Sequence, residues 1–104
     1  MVDLLVRTEE LSHEEFVEYW LGPHAELARE LPGLQKYVTD VPRDPSRTEF
    51  DGVVELYFED TAALGAAFDS PEGEAVLADA DEFIDREAGP TLVLEETVQF
   101  DATE

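Results

Sequence analysis

Cysteine is absent from the chain, which excludes disulfides, thiolate nucleophiles and cysteine-held metals and leaves stability to packing, surface ions or oligomerisation. Basic residues are scarce: six Lys plus Arg stand against 27 Asp plus Glu, a formal net charge of −21. Such a chain repels phosphate backbones, so nucleic acid is not an expected partner. Long apolar runs are also missing. The opening "MVDLLVRTEEL" has acidic flanks and no basic n-region, so neither a signal peptide nor a membrane span is expected, and a cytoplasmic protein is. Glycine-rich phosphate loops, a Gly-x-Ser-x-Gly elbow and a dinucleotide fingerprint do not occur, which argues against phosphoryl transfer, serine hydrolysis and NAD chemistry. The two histidines, His13 and His24, fall on different faces of one helix, and His24-x-Glu26 lacks the spacing of a defined metal site. No metal is expected.

What remains is an acidic chain of 104 residues with 43% hydrophobic content, the size of one domain spanning 1–104. The acids are spread through every segment, which with that hydrophobic content argues against disorder. Acidic excess with Lys36 as the sole lysine fits a high-salt cytoplasm, where a screening length of roughly 3 Å at 1 M salt removes most self-repulsion.

"VDLLVR" alternates with period two and predicts a strand, with Val2, Leu4 and Val6 on one face and Leu5 on the other. Ser12 and Glu15 form a capping box, and Leu11 and Phe16 occupy the staple positions around it. In the helix that follows, Phe16, Trp20, His24, Leu27 and Leu31 fall within an arc of roughly 80°, and His13 lies outside it, toward solvent. Pro32-Gly33 stops the helix. Inside it, Gly22-Pro23 directly precede His24. Because Pro23 has no N–H for the Tyr19 carbonyl, the helix is expected to kink or restart there and re-aim His24.

"LQKYVTDV" and "VVELYFED" predict two more strands, with Val54, Leu56 and Phe58 facing one way. Asp60 caps a short helix, Ser70-Pro71 starts another, and "TLVLEETVQF" predicts a long final strand. The order β-α-β-β-α-β is the α+β ferredoxin-like arrangement, an antiparallel four-stranded sheet with helices on one face. The other sheet face carries large residues that these helices cannot cover, so a homodimer is expected.

"LSHEEFVEYWLGPHAELARELPGLQKYV", "FDGVVELYFED" and "SPEGEAVLADADEFID" together resemble the EthD family over nearly the whole chain. The resemblance implies a dimeric α/β barrel with a pocket between helices and sheet in each protomer. The wider superfamily includes cofactor-free monooxygenases, cyclases, lactone isomerases and, more distantly, heme enzymes. EthD-like members are often linked to catabolism of organic compounds. Proline commonly stands two residues after the family's histidine; here Glu26 does, and Pro23 precedes His24 instead.

His24 is the candidate acid/base near neutral pH, where an imidazole titrates at about 6.5 when unperturbed. Its bland counterpart is a core histidine bonded to backbone. Tyr37 and Tyr19 are candidates to donate a proton or hold a developing oxyanion. Trp20, Phe58, Phe68 and Phe83 are candidates for an apolar wall, although aromatics at this spacing also serve plain cores. The expected function is cofactor-independent chemistry on a hydrophobic or aromatic carbonyl compound, in catabolism or polyketide-type chemistry. The alternative is a dimer that binds such a ligand without turning it over.

Overall fold

Ser12 and Glu15 start the first helix as their spacing predicts: the Ser12 hydroxyl accepts from the Glu15 N–H at 3.1 Å, and the Glu15 carboxylate accepts from the Ser12 N–H at 2.9 Å. A computed structural model describes residues 1–103. Strand β1 (Val2–Leu5) leads to helix α1 (His13–Tyr19), a π-helical turn (Trp20–His24) and helix α2 (Ala25–Ala28). Strands β2 (Lys36–Asp40) and β3 (Gly52–Tyr57), helices α3 (Thr61–Phe68) and α4 (Pro71–Phe83) and strand β4 (Thr91–Leu92) complete the order. The sheet runs β2-β3-β1-β4 with every pairing antiparallel, an α+β ferredoxin-like arrangement.

Gly22-Pro23 leave the chain helical and widen it. With no N–H on Pro23, the ladder shifts to π geometry over one turn. The extra residue per turn rotates everything downstream. Phe16, Trp20 and His24 are buried at the expected four-residue spacing, but beyond the turn the buried residues are Ala25, Ala28 and Leu31. Leu27, expected on the inner face, is exposed. Bonds of i→i+3 type carry the chain from α2 to Leu31, and Gly33 at φ 80° makes the turn that a side chain would resist.

The face of β1 also differs from expectation. Register places Leu5 opposite Gly52 and Asp3 opposite Val54, and residues directly opposite share a face. Leu5, Val54 and Leu56 are therefore the buried, helix-facing set, while Val2, Leu4, Val38 and Val53 lie on the outer face. A one-residue change in phase exchanges the two faces of a strand. Beyond β1, Arg7 bonds the buried Asp51 through its backbone N–H and its guanidinium, tying this end of the strand to the start of β3. Gly52 is required where it stands: a Cβ there would come 2.4 Å from the Trp20 ring.

Only Thr91 and Leu92 of the expected last strand pair with β1. Leu92 opposes Val2 and Thr91 opposes Asp3, and β4 pairs no further. Residues 93–103 have no regular structure, and Val93, Leu94, Val98 and Phe100 are exposed. Among the described residues no helix is long and apolar enough to cross a membrane.

Candidate active site

The helices lean on the sheet through Trp20, Phe16 and Phe83, the largest fully buried side chains. Phe16 packs against both other rings with centroids 5.5 Å apart. Beside this cluster opens a cavity of about 640 Å³ between sheet and helices, walled by Trp20, Leu5, Val54, Leu56, Phe68 and Val76. His24 and Tyr37 bring polar groups to its lining.

His24 is 5% exposed, held there because the π turn brings it and Ala25 together to the inner side. Its Nδ1 lies 2.8 Å from Oδ2 of Asp79 on α4. The other oxygen of Asp79 accepts the Tyr19 hydroxyl at 2.5 Å. Phe83, one helical turn after Asp79, meets the rings of both His24 and Tyr19 edge-on, at 4.8 and 4.9 Å between centroids. The carboxylate thus clamps the helix on which both partners lie. With Asp79 accepting from Nδ1–H, a neutral imidazole carries its lone pair on Nε2. Nε2 has no hydrogen-bond partner among the described residues.

The hydrogen bond to Asp79, followed by desolvation, pushes the Tyr19 hydroxyl up to about 12, so it remains a donor to that carboxylate. Tyr19 does not line the cavity; it reaches His24 through Asp79. Tyr37 projects from β2, opposite Leu56, into the cavity. Burial pushes its hydroxyl up to about 12, against smaller opposing effects of Trp20 and Arg29. It is a neutral donor throughout the physiological range.

Trp20 and Phe68 line the cavity. Phe83 lies behind His24 as its support, and Phe58 faces a separate groove beside Glu59, Leu64 and Leu94. Asp79 is the site residue that the sequence reading missed. Its signal was a position: three residues after Val76 and four before Phe83, it borders the buried face of α4.

His13, expected to face solvent, instead bonds Asp51, its Nδ1 lying 2.8 Å from Oδ1. Asp51 is buried and also accepts from the Arg7 backbone N–H and guanidinium, each at 2.9 Å. Burial pushes this carboxyl up, but the Arg7 backbone N–H, His13 and the Arg7 guanidinium outweigh it and hold the group below its ordinary value. The cluster joins β1, α1 and β3 outside the cavity. Among the described residues there is no group of three or more metal-ligating side chains.

Fold and site together define a ferredoxin-like α+β protein with a buried histidine on the wall of a largely apolar cavity, backed by a half-buried aspartate and tyrosine. The EthD domain profile matches residues 8–87, and the chain belongs to that family. The match includes Tyr19, His24 and Asp79. An uncharacterized 11.0 kDa protein of the thcB-thcC intergenic region of Rhodococcus erythropolis is 31% identical over 87 residues, which cover 80% of this chain and 82% of the relative. The crystal structure of an ethyl tert-butyl ether D (EthD) family protein from Bacillus halodurans matches with a TM-score of 0.75 and 24% identity, over 92% of this chain and 96% of that one. At that identity the likeness shows the fold.

Proposed function

We propose that this EthD-family protein is a cofactor-independent enzyme that moves a proton beside the carbonyl of a small hydrophobic or aromatic compound, in catabolism or polyketide-type cyclisation. His24 is the general acid/base. The observation that carries the reading is the 2.8 Å contact of its Nδ1 with a carboxylate, with Nε2 unpartnered among the described residues and His24 in the cavity lining. A purely structural histidine bonded to backbone would lack this arrangement.

In the proposed step Nε2 takes the proton from the carbon next to the carbonyl, and the C–H electron pair moves into a new C=C bond as the carbonyl oxygen becomes enolate. Tyr37 donates its hydroxyl to that oxygen. The imidazolium, stabilised by Asp79, returns the proton to carbon in an isomerisation, or to the new alkoxide when the enolate closes on a second carbonyl. Asp79 and Tyr19 are positioning residues, since neither touches the substrate in this scheme. The working unit is a homodimer, a reading supported by the apolar outer face of Val2, Leu4, Val38 and Val53 and by the exposed apolar segment after β4. A monomer in sedimentation at high salt would refute the dimer.

The test is exchange of the acetyl protons of 2-acetylnaphthalene in deuterium oxide, followed by proton NMR. Exchange that depends on His24 supports the proposal. Binding of the ketone without exchange above the buffer rate defeats it, and leaves a protein that holds such ligands without turning them over.

A further inference from the structure

The cavity changes character from floor to rim. Its floor is apolar, with His24 buried and one ring nitrogen unpartnered. Its rim carries Asp3, Asp81, Asp85 and Glu87. Two cations stand among them, Arg86, which bonds Asp81 at 3.0 Å, and the Met1 ammonium, which donates to the Leu56 carbonyl at 2.9 Å, so the carboxylates remain in excess. An anionic ligand group would therefore meet a rim in which carboxylates outnumber cations and would be repelled on balance. A neutral group meets no such barrier, and a cationic one is attracted.

We infer that the cavity takes apolar carbonyl compounds that are uncharged or carry a cationic group at the rim, and rejects those bearing a carboxylate, sulfonate or phosphate. The inference rests on the proposed function only in taking the cavity as the ligand site. The carbonyl end lies deep, toward His24 and Tyr37, and any charged substituent stays at the opening. Charge at the rim thus sorts ligands that the apolar floor alone would hold equally well.

Three probes of one shape test this: 2-acetylnaphthalene, 6-acetyl-2-naphthoate and (6-acetylnaphthalen-2-yl)methylammonium. Binding is read by quenching of Trp20, the sole tryptophan, which stands in the cavity wall. In about 0.1 M KCl the ammonium probe binds roughly tenfold more tightly than the carboxylate, with the neutral ketone between. In 2 M KCl the ratio falls toward one. Combined Asp81→Asn, Asp85→Asn and Glu87→Gln substitution reduces the low-salt ratio severalfold. Glu14→Gln, Glu26→Gln and Glu30→Gln, an equal charge change on exposed helical positions away from the rim, leaves it unchanged. Both triple variants lower self-repulsion, and circular dichroism confirms that they are folded.

Equal binding of anion and cation at low salt overturns the inference. So does an equal effect of the two triple variants, which would assign the preference to net charge. Absence of quenching by all three probes overturns it together with the cavity as the ligand site. Charge-selective binding without proton exchange upholds it and defeats the proposed catalysis alone.

Discussion

Nδ1 of His24 and Oδ2 of Asp79 meet at 2.8 Å although 55 positions separate them in the chain. The contact fixes the ring's orientation and leaves Nε2 without a hydrogen-bond partner among the described residues. Asp79→Asn retains size but can turn an amide donor toward Nδ1, favouring the tautomer with its proton on Nε2. Proton exchange of 2-acetylnaphthalene should then fall by about 100-fold, within the range general for acid/base groups. His24→Ala should fall at least as far. Asp79→Asn should leave affinity for the ketone, read from Trp20 quenching, nearly unchanged.

Tyr19 and Tyr37 should separate in function. Tyr37→Phe removes the donor at the cavity wall, so exchange should drop by roughly 10- to 100-fold with little change in melting temperature. Tyr19→Phe removes a bond to a carboxylate and should cost about 1.5 kcal/mol of stability in denaturant unfolding. Its effect on exchange should be the smaller of the two, because it acts only through Asp79.

The Arg7–Asp51–His13 cluster should make folding pH-dependent on the acid side. Asp51 titrates below its ordinary 3.8 in the folded protein, so its contribution is full above that value and is lost as pH falls through the folded one. Asp51→Asn should be destabilising by about 2 kcal/mol at neutral pH. The gap between wild type and variant should hold above the ordinary 3.8 and narrow as pH falls below it. Urea unfolding above and below it measures both.

Gly52→Ala would place a methyl 2.4 Å from the Trp20 ring. The ring must move, at a cost of about 1–3 kcal/mol for overpacking. Trp20 emission should change, and 2-acetylnaphthalene binding should weaken with it.

The charge of −21 should make stability salt-dependent. Between 0.1 and 2 M KCl the melting temperature should rise by roughly 10 °C or more as self-repulsion is screened. The same range should raise the dimer fraction in sedimentation if the apolar outer face is the interface.

Local chemistry makes much of the fold legible before any coordinates. Ser12 and Glu15 cap within four residues, Asp60 and Ser70 cap by the same short reach, and Gly33 turns the chain after the helical segment by backbone geometry alone. These signals need no partner from elsewhere in the chain. His24 is legible as a buried residue for the same reason, since it lies four residues from Trp20 on one helical face.

The site's orientation required the tertiary structure. A break at Gly22-Pro23 is readable, but its resolution as a π turn, which exposes Leu27 and buries Ala25, depends on packing against α4 and the sheet. The face of β1 depended on its register with β3, which buries Leu5 beside Val54 and Leu56. Asp79 looks in sequence like one more acid among 27 Asp and Glu; it becomes the partner of His24 and Tyr19 only when α4 crosses the π turn. Propensity and capping act over a few residues and were therefore determined by the sequence by itself. Strand phase, helix rotation and the pairing of distant charges are decided by which surfaces meet.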